Sequence, residues 1–291
     1  MEPSMILVAV GAMGGLTVTL SLLLVIANKK LYVHEDPRVD DVEDMLPHAN
    51  CGACGYPGCR PFAEALVANQ TTPGKCSVST PEGLEEIAIY LDVEVGAGQK
   101  MVARLACAGG NNVARNKVDY EGMRTCRAAA LVAGGGKKCS WGCLGLADCM
   151  DVCDFDAIHM NSFSLPVVNE SKCTACNACV VVCPKDLFSL QPVENRLWVA
   201  CKNEEEGNKV LEDCQVGCTA CSRCAFDAPD SLISMKKNLP VIDYSKPHKT
   251  TVPIQRCPTG AIVWLDEKRG PQKGPAAVKI LRRSPLPTDF K

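Results

Sequence analysis

Residues 173–184 read CTACNACVVVCP, and no other stretch narrows the folding options of this chain so far. Cys173, Cys176, Cys179 and Cys183 stand at C-x2-C-x2-C-x3-C, with Pro184 directly after the last. Thiolates at that spacing wrap iron–sulfur clusters: three reach one cluster from a single loop, and the fourth, held away by the proline, reaches a neighbouring cluster. A structural zinc knuckle is the competing reading, but zinc sites favour two separated C-x2-C pairs. The chain is therefore expected to fold around inorganic groups rather than around a large apolar core.

Composition agrees with a thin core. Among 291 residues there are twenty cysteines but only six Phe, five Tyr and three Trp. Such a cysteine count would ordinarily suggest a secreted disulfide scaffold. The spacings are ligand spacings instead, and thiolates that bind iron must stay reduced, which points to a cytoplasmic, anaerobic setting. Because metal binding and folding are coupled, the protein without its clusters should be largely unfolded. The length suits two or three small domains. A net charge of −2 implies no nucleic-acid partner.

From Pro3 to Asn28 no residue is charged, and Met5–Ala27 is apolar apart from Thr17, Thr19 and Ser21. That is long enough to span a bilayer, which takes about 20 residues. The start lacks the positive n-region of a signal peptide, and the apolar run is too long for an h-region. Lys29 and Lys30 follow at once, so the positive-inside rule places the rest of the chain in the cytoplasm. Gly11, Gly14, Gly15, Thr17 and Ser21 would let another helix approach closely. An acidic stretch comes next, with Glu35, Asp36, Asp40, Asp41, Glu43 and Asp44, expected to be a solvated spacer.

Cys51, Cys54 and Cys59 then open a second ligand set, CGACGYPGC, which a plausible helix (PFAEALVANQ) and a Pro73-Gly74 turn connect to Cys76. Its spacing differs from the 173–184 run, so it forms a separate small domain, where zinc remains a weaker alternative to a cluster. Residues 81–91 look helical, VARLACAGG reads as a strand, and the glycines at 134–136 as a turn. No dinucleotide-binding G-x-G-x-x-G lies on a strand–helix unit.

The segment 139–158 carries a stretched run, C-x3-C-x5-C-x3-C, at Cys139, Cys143, Cys149 and Cys153, with Asp154 where proline usually stands. By the crossover of two-cluster ferredoxins, Cys139, Cys143, Cys149 and Cys183 are expected on one cluster and Cys153, Cys173, Cys176 and Cys179 on the other. The pseudo-repeat DFDAIHM (154–160) and PKDLFSL (184–190) supports two matching halves. A second copy follows: LACAGGNNVARNKV (105–118) resembles VACKNEEEGNKV (199–210). In it Cys218, Cys221 and Cys224 keep the run, Ala228 replaces the fourth cysteine, and YSKPHKTTVPIQ (244–255) stands where a partner run belongs. Only Cys257 survives there, so Cys218, Cys221, Cys224 and Cys257 are expected on one cluster and the other is lost.

Sixteen cysteines are thereby assigned to four 4Fe–4S clusters. Cys107, Cys126, Cys201 and Cys214 are left over at equivalent places in the two copies. Packing or cluster-side sulfur is the favoured reading for them, ahead of pairwise disulfides or an added metal site. His34, His48, His159 and His248 are not placed for Rieske-type ligation and read as surface or loop residues. The tail holds Lys268, Arg269, Lys273, Lys279, Arg282 and Arg283. It reads as solvated and mobile, with a docking arm for an acidic carrier or anionic lipid as the alternative.

Apolar anchor, CGACGYPGC with its fourth cysteine, and the stretched run paired with CTACNACVVVCP together resemble the B subunit of the Rnf ion-translocating oxidoreductase, in its longer form. The resemblance covers roughly residues 5–264, and CSWGCLG and DFDAIHM make it specific. It implies electrons received from soluble reduced ferredoxin and handed to partner membrane subunits, whose oxidation by NAD is coupled to Na⁺ or H⁺ movement. Asp154, Ala228 and residues 245–255 depart from the pattern. The expected architecture is α+β. A transmembrane anchor (1–30) precedes a four-cysteine 4Fe–4S domain with its acidic linker (31–95) and a connecting segment (96–137). A two-cluster ferredoxin domain (138–192), a degenerate single-cluster unit (193–267) and a basic tail (268–291) complete it. The expected partners are other Rnf-type membrane subunits, soluble ferredoxin and membrane lipid, at the cytoplasmic membrane. Rival readings are a polyferredoxin subunit of a hydrogenase or heterodisulfide-reductase assembly, and an oxidant-sensing regulator, for which no DNA-binding or effector feature is present.

Overall fold

The computed structural model of the chain describes residues 3–31 and 36–288, so His34 and Glu35 lie outside the described residues. Helix α1 (Pro3–Leu31) contains Val10–Leu31, long and apolar enough to cross a membrane, none of it buried against the rest of the protein. Its hydroxyls are compatible with an apolar surrounding. Thr17 Oγ1 donates to the Met13 carbonyl and Thr19 Oγ1 to the Gly15 carbonyl, each at 2.6 Å. Such bonds one turn back satisfy both side-chain donors within the helix.

The acidic stretch is folded, which corrects the expectation of a solvated spacer. Asp36 caps α2 (Pro37–Met45) by accepting from the Arg38 N–H. Val39, Val42 and Leu46 form an apolar stripe at helical spacing. That stripe packs on Phe62 and Leu66 of α3 (Cys59–Val67) and Ile87 of α4 (Pro81–Leu91). Burying the stripe turns the acids outward, where Arg60 Nη1 donates to Asp40 Oδ1 at 2.9 Å and Glu43 Oε2 at 2.8 Å. The Tyr90 O–H donates to Asp41 at 2.5 Å. Thr80 caps α4 and Asp92, in the left-handed region, ends it, so the helix matches the residues expected from sequence.

The middle of the chain contributes β1 (Met101–Leu105), α5 (Cys126–Leu131), α6 (Asp148–Asp151), β2 (Ile158–Met160), β3 (Pro166–Val168), α7 (Ala178–Val182) and β4 (Phe188–Pro192). β2 and β3 form a hairpin. β1 pairs antiparallel with β4, Met101 opposite Pro192 and Leu105 opposite Phe188. The strand expected in VARLACAGG is thus present but stops at Leu105. It belongs to the same sheet as a strand from the two-cluster run. The core here is small: Ala103, Ile158 and Phe188, completed by Cys149 and Cys179. Gly134, Gly135 and Gly136 all have positive φ, 77°, 94° and 75°, the left-handed turn that glycine permits.

The last part contributes β5 (Leu197–Val199), α8 (Lys209–Asp213), α9 (Arg223–Asp227), β6 (Ile233–Lys236), β7 (Leu239–Ile242), β8 (Ile262–Asp266) and β9 (Gly270–Gln272). β5, β8 and β9 make one sheet and β6 and β7 a hairpin. Where the sequence has lost cysteines, ordinary packing takes over. Ala228 and Ile254 join the core of Leu197, Leu232 and Ile262. The Tyr244 O–H donates to the Leu197 carbonyl at 2.8 Å, and the His248 ring meets Tyr244 edge-on at 5.3 Å.

The duplicated segments interlock. Arg115 N–H donates to the Asp213 carbonyl and Gln215 N–H to the Val113 carbonyl, both at 2.9 Å. Glu170 accepts from Arg104 on β1 at 2.5 Å and from Arg196, just before β5, at 3.0 Å, tying the central and C-terminal parts. The tail is bound rather than free, a second correction. β9 pairs with β8, Val278 N–H donates to the Pro258 carbonyl at 3.0 Å, and Leu286 N–H to the Asn111 carbonyl at 2.8 Å. Ile280 packs beside Val113 and Cys214. Backbone hydrogen bonds and Ile280 thus hold the tail to the body, while its basic side chains lie mostly outward.

Candidate metal centres

All twenty cysteines are free thiols. They line five separate cavities, four to each, and no cysteine is shared. The cavities are similar in size, each about 20 Å³. Among the described residues no three His, Cys, Asp or Glu side chains converge closely enough to hold a single metal ion. Zinc–thiolate bonds of about 2.3 Å would hold the sulfurs within about 4 Å of one another. Four thiols around one cavity are a donor set that fits a four-thiolate iron–sulfur cluster.

The first cavity is lined by Cys51, Cys54, Cys59 and Cys76, as grouped from sequence. Asn50 Oδ1 accepts from the Cys59 N–H at 2.8 Å, seating that cysteine at the start of α3. Ser79 Oγ donates to Cys76 Sγ at 3.2 Å. The second is lined by Cys153, Cys173, Cys176 and Cys179, again as grouped from sequence. The thiols of Cys218, Cys221, Cys224 and Cys257 line a third, which brings Cys257 back to a run that lies far from it in the chain.

The remaining central site differs from the sequence grouping. Cys143, Cys149 and Cys183 do share a cavity, which is the expected crossover of Cys183 away from its own run, but its fourth thiol is Cys126 and not Cys139. The cause is Asp148. Its buried carboxylate accepts from the Cys126 N–H at 2.7 Å and the Arg127 N–H at 3.1 Å, drawing the start of α5 against Cys149. Cys139 instead faces a fifth cavity with Cys107, Cys201 and Cys214. The four cysteines left over on sequence grounds therefore all line cavities, Cys126 in one and the other three in another. The available signal was the stretched C-x3-C-x5-C spacing, which left Cys139 out of step with its run.

Local backbone geometry repeats from site to site. Ala147, Asn177 and Ser222 each adopt positive φ (72°, 71° and 58°) directly before α6, α7 and α9, and each helix then carries a buried ligand-type cysteine, Cys149, Cys179 and Cys224. The DFDAI and PKDLF segments match as well. Ala157 N–H donates to Cys153 Sγ at 3.4 Å and Leu187 N–H to Cys183 Sγ at 3.5 Å. Amide donors aimed at sulfur stabilise a ligating thiolate and tune a cluster's potential.

Burial dominates the electrostatics. It pushes Cys143, Cys149, Cys179 and Cys214 up to about 12 and Cys139, Cys201, Cys218 and Cys224 up to about 11. Thiols so reluctant to ionise unaided give up their protons when a metal takes their place. Lys137 supplies a buried cation, its Nζ donating to the carbonyls of Gly109 at 2.5 Å and Cys143 at 2.7 Å. Of the histidines, His48 and His159 are exposed and His248 packs on Tyr244, and none of these three lines a thiol cavity.

Two family models match this chain: an Fe-S cluster family over residues 46–78 and the 4Fe-4S binding domain over residues 166–188. Similar proteins cover most of its length. The B subunit of the Na(+)-translocating ferredoxin:NAD(+) oxidoreductase complex of Acetobacterium woodii is 37% identical over 257 residues, 88% of this chain and 77% of the relative. The B subunit of the ion-translocating oxidoreductase complex of Methanosarcina acetivorans is 33% identical, over 89% of this chain and 98% of the relative. The B subunit of the proton-translocating ferredoxin:NAD(+) oxidoreductase complex of Clostridium ljungdahlii is 36% identical, over 83% and 86%. With thiol sets of this kind and relatives matched over most of their length, the chain belongs to the B-subunit family of the Rnf ion-translocating oxidoreductases, iron–sulfur components of electron transport.

Proposed function

We propose that the chain takes electrons from soluble reduced ferredoxin and passes them to partner subunits of an ion-translocating ferredoxin:NAD oxidoreductase. Its 4Fe–4S clusters are held by Cys51, Cys54, Cys59 and Cys76, by Cys126, Cys143, Cys149 and Cys183, by Cys153, Cys173, Cys176 and Cys179, and by Cys218, Cys221, Cys224 and Cys257. Clusters there supply one-electron acceptors and donors. The chain's own residues hold them, exclude water, aim N–H donors at their ligand sulfurs and fix their spacing. α1 anchors the subunit in the bilayer among the other subunits, and Lys29 and Lys30 favour a cytoplasmic position for the cluster-binding part. In this proposal the units keep the boundaries expected from sequence, with β1 added to the two-cluster unit.

The observation that carries this reading is the contact between successive thiol sites. Ser77, which lines the first cavity, donates from Oγ to the carbonyl of Thr174, which lines the second, at 2.6 Å. Cys149 and Cys179, from the two central cavities, share one small core. The test is anaerobic mixing of the intact, iron-loaded protein with reduced ferredoxin. The cluster absorption of this chain should bleach as ferredoxin is oxidised, one electron lost for each gained. No electron uptake from ferredoxin by fully loaded protein would overturn the proposal.

A further inference from the structure

We infer that Cys107, Cys139, Cys201 and Cys214 hold a fifth 4Fe–4S cluster, which joins the C-terminal site to the central pair. The inference rests on the electron-transfer reading above and extends it to thiols that reading leaves unused. Cys107 follows β1, Cys201 follows β5 at the matching place in the second copy, and Cys214 ends α8. Cys139 completes the ring, so the cavity forms where the two copies interlock.

Three features mark the cavity as built for a ligand. Donors already point at its sulfurs: Gly109 N–H lies 3.4 Å from Cys107 Sγ, and the buried amide Nδ2 of Asn203 lies 3.7 Å from Cys139 Sγ. Gly109 leaves space that a side chain would take, since a Cβ there would sit 3.1 Å from Cys214 Sγ and 3.6 Å from Cys107 Sγ. Lys137, also lining the cavity, brings a buried positive charge to the wall of a site whose thiolates would be negative. The four thiols ring one small cavity of about 20 Å³, walled on the other sides by Ala106, Ala114, Ala200 and Val216.

The position follows from two contacts. The N–H of Cys143, a central-site thiol residue, donates to Cys107 Sγ at 3.5 Å. The N–H of Cys218, in the C-terminal site, donates to Cys201 Sγ at 3.3 Å. Each neighbouring site thus touches a ligand sulfur of the fifth through one backbone donor. The five sites form a line: 51–76, then 153–179, then the site of Cys126 and Cys183, then the fifth, then 218–257. An electron moves along it with each reduction balanced by oxidation of the neighbour.

The test uses the full chain prepared anaerobically. Five clusters give about twenty irons per chain where four give about sixteen. In the unmodified protein, anomalous scattering at the iron edge should show a cluster in the Cys107–Cys214 cavity. Cys107→Ser and Cys201→Ser should each remove about four irons and one paramagnetic signal while the other four clusters persist. In either variant, freeze-quenched reduction should leave the C-terminal cluster oxidised at times when the central pair is reduced. Iron in the other four cavities with none in this one, or a disulfide or zinc there, overturns the inference and leaves the electron-transfer reading standing. Unchanged timing at the C-terminal cluster overturns the joining role. Iron absent from every cavity would instead sink the underlying reading.

Discussion

Asp148→Asn is the sharpest test of how a cysteine far from its run joins a thiol cavity. The carboxylate accepts two backbone N–H bonds, from Cys126 and Arg127, and is itself buried. An amide in its place keeps one acceptor oxygen and turns an NH2 group toward the other N–H. One charge-assisted bond is lost and one donor is left facing another. Hydrogen bonds to charged groups contribute about 1.5–3 kcal/mol. By the usual conversion, the fraction of molecules with the start of α5 detached should rise about 10- to 150-fold. Cys126 leaves the cavity in that state, so iron should be captured by a strong chelator faster by a similar factor, from one cluster only. Hydrogen exchange at the Cys126 and Arg127 amides should accelerate in step. Asp148→Glu, which restores the charge, should recover part of the protection. The reasoning fails if Asp148→Asn loses iron at the unmodified rate while Cys126→Ala loses that cluster.

Glu170→Gln should lower stability by about 1.5–3 kcal/mol, the usual effect of losing hydrogen bonds to a charged group in a partly buried position, because both Arg104 and Arg196 lose their carboxylate. Denaturation followed through the cluster absorption would register this, and a change below about 1 kcal/mol would count against it. Lys137→Met should lower the reduction potential of the cluster beside it by about 60 mV, one tenfold step for a single electron, since the reduced form loses a neighbouring cation. Redox titration followed by paramagnetic resonance reads the shift, and a rise would contradict the assignment. Removing residues 1–31 should release a soluble protein that keeps its iron, because α1 contributes no thiol. Retention in the membrane fraction after alkaline washing would show that something else anchors the chain.

The thiol cavities legible in sequence are those whose cysteines come from one compact run plus one marked outlier. Cys173, Cys176 and Cys179 with Cys153 belong here, as do Cys218, Cys221 and Cys224 with Cys257, because the short loops and left-handed turns around them are local chemistry. Cys126 was illegible because its placement depends on the side chain of Asp148, twenty-two residues on, and no spacing rule encodes that contact. Cys139 sits in a run that imitates a ligand run but serves another cavity. Equivalence between the two copies carries only half of the pattern. Cys107 and Cys201 share a site as their matching places suggest, whereas Cys126 and Cys214 part company, because Asp148 holds the first and the interlocked backbone at Ala114 the second. The tail misled for a similar reason: its charges are conspicuous, while Val278, Ile280 and Leu286 make the contacts that bind it.

The interlocking of the two copies also constrains how the protein can be made. The walls of the cavity at Cys107, Cys139, Cys201 and Cys214 come from four separate stretches, and closing so long a chain segment has an entropic cost that only completed packing offsets. While the chain is still leaving the ribosome, residues 51–76 can already gather their thiols, but this cavity has no counterpart until residues 201–214 have emerged. Maturation therefore has a direction. The sites drawn from residues 51–183 can gather their thiols before this one, and the 218–257 site, which waits for Cys257, only after it.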